Sequence, residues 1–249
     1  MDLGAYLQRI GYSGDVTPTL ETLRGMHRAH FYNVPFENLD ISRGVRIEVN
    51  EAVNFDKIVA RRRGGFCLEL TGLFARALRQ VGFTLDVIGA RVMGEGKLSH
   101  PMSHMTLIVH LDEDWIADVG FGGRIIEPLR LNDRGEQVVG MRRYVVANDG
   151  DHWFVTCMEE GYDTMTYLFT MQPREFEEFH TVCDWLQTSP DSRFTQGDVI
   201  SLATPTGRHT LARGKLIVFE DGTREERDVP VLDEQVAIIR DQFGIELPS

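Results

Sequence analysis

Arg63-Gly64-Gly65-Phe66-Cys67-Leu68-Glu69-Leu70 places a cysteine between a double glycine and an amphipathic run. Downstream of it, Leu70, Leu73, Phe74, Ala77, Leu78 and Val81 recur at helical spacing, which predicts a buried helix beginning at or just after Cys67. The first turn of a helix presents unpaired N–H groups and the positive end of the dipole. Both favour a thiolate over a thiol, the form in which cysteine acts as a nucleophile near neutral pH. A small buried residue packing a helix start is the ordinary alternative for a free cysteine. The two glycines shift the balance, because they let backbone and substrate approach closely.

Upstream, residues 1–83 read as mostly helical. Leu3, Leu7 and Ile10 share a face that Gly11 ends. Thr17-Pro18-Thr19 is a helix start with Thr17 as the expected cap, followed by Leu20, Leu23, Met26 and His27 at helical spacing. Val34-Pro35-Phe36-Glu37-Asn38-Leu39-Asp40 breaks the pattern and is expected to be a loop, and Phe55, Ile58 and Val59 suggest a short helix. Downstream, the period changes. Strands are expected at 84–93, 104–111, 115–119, 143–147, 152–158 and 164–170, with turns at Gly94-Glu95-Gly96-Lys97 and Asp112-Glu113-Asp114. This middle third predicts an antiparallel sheet or barrel. A short helix at 173–179, strands at 199–202, 209–211 and 215–219, and a closing helix from Leu232 to Phe243 stopped by Gly244 complete an α+β chain.

The length of 249 residues and a composition of 42% hydrophobic and 26% charged residues are ordinary for a globular protein. No apolar stretch is long enough for a membrane span, and no signal peptide is visible at the N-terminus. Three scattered cysteines, Cys67, Cys157 and Cys183, make no disulfide framework, so a reduced cytoplasmic setting is expected. A net charge of −12 argues against nonspecific nucleic-acid binding. With no H-E-x-x-H and no C-x-x-C, no metal site is expected. His27 and His30 have no evident third ligand and are expected on a solvated or partly packed face. Gly120-Phe121-Gly122-Gly123 lacks the helix of a dinucleotide fingerprint and reads as a close-approach turn with one exposed aromatic.

A cysteine nucleophile needs a base, and the base needs an orienting group. His104 begins one expected strand and Asp118 ends the next. A hairpin sets these strands side by side, but their facing depends on a register that sequence alone leaves open. Asp118 in an apolar strand needs a partner, for which a histidine N–H is suited.

Arg62-Arg63-Gly64-Gly65-Phe66-Cys67-Leu68-Glu69 resembles the active-site signature of the arylamine N-acetyltransferases. So do Val34–Asp40, Ser103-His104-Met105, Asp118-Val119-Gly120-Phe121-Gly122, Ser189–Phe194 and Phe243-Gly244-Ile245, in the family's order. The resemblance implies a helical domain at 1–83 carrying the nucleophile, a β-barrel domain at 84–187 carrying histidine and aspartate, and an α/β lid at 188–249. It also implies a cysteine-protease-like core. Cys67 would accept the acyl group, His104 would activate it and Asp118 would orient His104. The implied reaction is ping-pong transfer from acetyl-CoA to an arylamine or arylhydrazine nitrogen. Phe36 and Phe121, with Met102 and Ser103, would line the acceptor pocket. Glu37 and Arg63 resemble a buried structural ion pair. Gly122, Arg208, Arg213 and Lys215 are the expected CoA contacts, the last three from a basic stretch that also fits a solvated strand face.

Leu68, Ser103 and Ser189 depart from the family's usual residues, and the chain stops five residues after Gly244. A branch of the family forms macrolactams from polyketide thioesters on an acyl carrier protein, and a shorter end with altered pocket residues suits such an amide synthase. A cysteine amidase or other hydrolase, with water as acceptor, is the third possibility.

Overall fold

The structure, a computed structural model, describes residues 1–94, 96–159 and 162–247. Glu95 of the expected turn and the last two residues of the expected lid lie outside the described residues. The helices are α1 Leu3–Ile10, α2 Leu20–Asn33, α3 Leu39–Ser42, α4 Glu51–Phe55, α5 Cys67–Val81, α6 His180–Thr188 and α7 Leu232–Phe243. The strands are β1 Phe36–Glu37, β2 Thr84–Gly94, β3 Lys97–Leu98, β4 His104–His110, β5 Asp114–Ala117, β6 Leu129–Arg130 and β7 Glu136–Val139. They continue with β8 Arg142–Asp149, β9 His152–Glu159, β10 Met165–Pro173, β11 Val199–Thr204, β12 Gly207–Ala212, β13 Lys215–Glu220 and β14 Thr223–Asp228. This is the expected α+β architecture.

One antiparallel sheet runs β6-β5-β4-β2-β10-β9-β8-β7, with β3 paired to β2. Its edges nearly close into a barrel: the Gln137 side chain accepts from the Arg130 main-chain N–H and donates to the Arg130 carbonyl, both at 2.9 Å. β4 lies between β2 and β5, and His104–Val109 is buried throughout. Its two faces serve two cores, which a one-sided alternation would not show. Met105, Leu107 and Val109 pack with α5, while Ile108 joins Ile116, Phe121, Tyr144, Tyr167 and Phe169 inside the barrel.

The second sheet, β1-β11-β12-β13-β14, is built mainly from the C-terminal part but takes its edge strand from residues 36–37. Val34–Asp40 is therefore not a loop. Phe36 pairs with Ser201 and bridges Gly65, and Leu39–Ser42 forms α3. These pairings are far apart in sequence and carry no local signature. The cap of α2 is Thr19 rather than Thr17, with the Thr19 hydroxyl accepting the Thr22 N–H at 3.3 Å and Pro18 left just outside the helix. Phe55–Val59 spans the end of α4 and a π-helical turn, Asp56–Ala60. Pro173 ends β10; the helical segment after it is a 3-10 turn at Phe176–Phe179 continued by α6, whose Val182, Cys183 and Leu186 pack on the core beside α5. No helix among the described residues is long and apolar enough to cross a membrane.

Candidate active site

α5 begins at Cys67, as its periodicity predicts, and twelve of its fifteen residues are buried. The N-cap, Phe66, has no side-chain acceptor, so Glu69 closes the first turn from inside: its Oε2 accepts the Phe66 N–H at 3.0 Å. Glu69 is in turn held by Lys57 Nζ at 2.8 Å, and Lys57 also meets Asp40 at 2.8 Å. Arg63 joins Glu37 at 2.8 Å and Asp40 at 2.9 Å. The expected Glu37–Arg63 pair is thus part of a five-residue buried network. Burial alone would lower Lys57, but Glu69, Glu37 and Asp40 outweigh it and hold the ammonium protonated.

The double glycine is needed for the chain itself. A Cβ on Gly64 would stand 2.0 Å from the Pro35 carbonyl oxygen, and one on Gly65 2.9 Å from the Glu69 Cβ. What approaches Gly64 is the chain at Pro35 and Glu37, and what approaches Gly65 is the Glu69 side chain, while Glu37 N–H donates to the Gly65 carbonyl at 2.9 Å. No substrate is needed to explain either glycine.

The register left open by the sequence is settled by the β4–β5 pairing. Leu107 faces Ala117, and Ile108 faces Ile116. Continued by one residue, that pairing puts Asp118 opposite Thr106, on the face that His104 shares with Thr106 and Ile108. His104 Nε2 meets Asp118 Oδ2 at 2.6 Å, both side chains being buried. The Cys67 side chain lies close enough to the imidazole to act on its charge. The Cys67 sulfur also contacts the Ser103 carbonyl at 3.5 Å. Burial disfavours a charged imidazole, but the Asp118 charge and hydrogen bond and the Cys67 contact override it and push His104 up to about 10. The three residues expected to form a constellation are therefore adjacent. A Cβ on Gly120 would lie 2.8 Å from the Cys67 Cα, so the Asp118–Gly120 turn sits directly on the start of α5.

Phe121 is buried rather than exposed, with its ring 5.2 Å from His104 and 4.9 Å from Tyr167. Phe36 packs against Phe194 at 6.2 Å, away from the barrel interior. Met102, half-buried before His104, adopts φ +58°, and the Ser103 hydroxyl bonds the Ser99 hydroxyl. Arg208 is not a solvated strand residue. It is buried, pairs with Glu159 at 3.0 Å, donates to the Gly122 carbonyl at 3.0 Å and stacks on Tyr162. Arg213 and Lys215 are exposed at the β12–β13 turn, Lys215 lying 3.5 Å from Glu226.

His27 and His30 are fully buried, correcting the solvated or partly packed face expected for them. His27 Nδ1 meets the Ile126 carbonyl at 2.9 Å, and its Nε2 accepts the Asp118 N–H at 3.0 Å. His30 Nδ1 bonds the Tyr6 hydroxyl at 2.7 Å. Tyr167, on the barrel interior, places its hydroxyl by Asp118 and Thr106. Neither His27 nor Tyr167 stands out in sequence, because each acts through a main-chain or side-chain group on a distant element. Among the described residues no group of three or more His, Cys, Asp or Glu could hold a metal ion.

Residues 19–249 match a family model described as N-acetyltransferase. The chain is 31% identical over 248 residues to an arylamine N-acetyltransferase of Escherichia coli (strain K12), covering 98% of this chain and 88% of that protein. It superposes on the arylamine N-acetyltransferase of Salmonella typhimurium with a TM-score of 0.91 at 32% identity, over 99% and 92% of the two chains. The Mycobacterium marinum arylamine N-acetyltransferase in complex with CoA is similar at a TM-score of 0.91 and 30% identity, over 98% and 93%. On the strength of this shared fold and sequence, the chain belongs to the arylamine N-acetyltransferase family.

Proposed function

We propose that the protein transfers an acetyl group from acetyl-CoA, through a thioester on Cys67, to the nitrogen of an arylamine or arylhydrazine. The observation that carries this reading is the buried His104 imidazole bonded to Asp118 at 2.6 Å, with its charge also favoured by the nearby Cys67 side chain. With Nε2 committed to Asp118, the other ring nitrogen is left for the sulfur. A buried carboxylate makes the imidazolium favourable, and the imidazolium favours a thiolate beside it.

In the first half-reaction the thiolate attacks the thioester carbonyl. The tetrahedral oxyanion meets the Cys67 N–H, which as the first of α5 has no partner within the helix. The C–S bond to CoA breaks, and His104 gives its proton to the departing sulfur. In the second, the amine nitrogen attacks the Cys67 thioester, loses its proton to His104, and expels the thiolate. Asp118 keeps His104 oriented in both directions and is not itself protonated.

Phe121, Met102 and Ser103, around His104, and Phe36, against Phe194, suit an acceptor slot for a flat ring. For the CoA phosphates, Arg213 and Lys215 are exposed on their turn, whereas Arg208 reaches the site only by holding the Gly122 carbonyl. On this reading 1–83 carries the nucleophile, 84–187 the histidine and aspartate, and 188–249 covers them. Three free cysteines suit a reduced, cytoplasmic setting.

Intact-mass analysis after incubation with a panel of acyl thioesters tests the donor. One acetyl group per chain, absent in Cys67→Ala, is expected from acetyl-CoA without amine. Labelling by long-chain pantetheine thioesters but not by acetyl-CoA would replace the reading with an amide synthase fed by a carrier protein. Thioester turnover indifferent to added amine would replace it with a hydrolase.

A further inference from the structure

The loop from Asp118 to Ile126 carries the carboxylate of the site, Phe121 and Gly122, and one side chain outside it bonds both of its ends. That side chain is His27 of α2, which receives the Asp118 N–H at Nε2 (3.0 Å) and meets the Ile126 carbonyl with Nδ1 (2.9 Å). A main-chain N–H can only donate and a carbonyl can only accept, so both contacts together require the neutral imidazole with its proton on Nδ1. The same loop is pinned at its middle by Tyr144, whose hydroxyl donates to the Arg124 carbonyl at 2.8 Å, and by Arg208 at the Gly122 carbonyl.

We propose that His27 is a positioning residue that clips the two ends of the 118–126 loop together and so aims Asp118 at His104. The inference rests on the proposed Cys67–His104–Asp118 chemistry. An aliphatic residue would fill this fully buried site beside Phe74 at lower desolvation cost, but would leave the Asp118 N–H and the Ile126 carbonyl without their partner. Protonation of His27 would set an N–H against the Asp118 N–H and open the clip. The groups facing the ring are Asp118, which favours its charge, and Arg28, which opposes it; His30 lies next to it on α2. Burial outweighs them and lowers His27 to about 4. The clip is therefore closed at neutral pH and opens as pH falls toward that value.

The test compares His27→Gln, whose amide can accept from Asp118 and donate to Ile126, with His27→Leu, which can do neither. Two readouts are needed: the single-turnover rate of Cys67 acetylation from pH 3.5 to 8, and the downfield proton resonance of the His104–Asp118 hydrogen bond in the resting protein. The Leu variant is expected to acetylate about 10- to 100-fold more slowly at pH 7, with the downfield resonance shifted or broadened. The Gln variant is expected to keep most of the rate and the resonance, and to lose rate less steeply than wild type below pH 5.5. A Leu variant with wild-type rate and resonance overturns the proposal. So does a folded Gln variant as slow as Leu, or one with the wild-type acid limb. Should the Leu variant fail to fold, the acid limb of the Gln variant decides. The resonance needs no turnover, so failure of the clip is distinguishable from failure of the acetyl-transfer reading, which would appear as acetylation persisting in Cys67→Ala.

Discussion

On one side of the first turn of α5, Glu37, Asp40, Lys57, Arg63 and Glu69 bond one another in a buried network. On the other side, His104 and Asp118 form an equally buried pair that makes a further contact with a sulfur. The first network ties its charges to the Phe66 N–H and the β1 segment, and so holds the helix start in place. The second ends on Cys67, a group that can change its bonds. Burying a charge network costs desolvation that ion pairing only partly returns. The difference is that only the second network has a member with bonding capacity left over, which the proposed chemistry requires. The two histidines near Asp118 make the same point. His104 has a carboxylate partner and is pushed up to about 10, while His27 has main-chain partners and a burial cost that lowers it to about 4.

If the two networks differ in this way, Asp118→Asn should slow acetyl transfer by about 10³- to 10⁴-fold by misorienting the imidazole, with much of the fold's stability kept. Stopped-flow or intact-mass kinetics would check this, and a variant within a few-fold of wild type would break the comparison. Lys57→Met should act the other way. It leaves Glu69 and Asp40 short of a buried partner and should cost about 3–5 kcal/mol of stability, or roughly 2–4 °C in Tm per kcal/mol for a chain of this size. Its rate per folded molecule should fall far less than that of Asp118→Asn.

The pH dependence sharpens the contrast. His104 is raised in the folded protein, so its contribution to stability is fully present below the unfolded value of about 6.5 and is lost as pH rises through about 10. Denaturant midpoints measured between those values should fall more steeply in wild type than in His104→Gln. The smallest effect should come from the exposed Arg46–Asp184 pair at 2.9 Å, whose side chains are 70% and 52% accessible. Asp184→Ala should change stability by less than about 1 kcal/mol; a larger loss would mean that ion-pair count, rather than burial, governs this fold.

Much of the fold is legible along the chain. Gly11 and Gly244 stop helices at the expected places, and α7 spans Leu232–Phe243 as its periodicity indicates. β14 escapes notice because every residue of Thr223–Asp228 is exposed and most are charged, as suits an edge strand. β1 escapes because two residues recruited into a distant sheet leave no periodic trace. In the site, Cys67, His104 and Asp118 are readable as residue types at element ends, whereas His27, Tyr167 and the buried state of Arg208 are not.

The amino-acid sequence by itself determined where the longer helices and strands run, and that a cysteine heads a buried helix, because helix and strand periods and breakers act over a few residues. Only the tertiary structure decided that β4 and β5 pair in the register that brings Asp118 to the face of His104, that Arg208 spends its charge on Glu159, and that His27 lies under the Asp118 loop. Register, burial and charge compensation depend on partners tens of residues away, and a linear pattern does not carry that information.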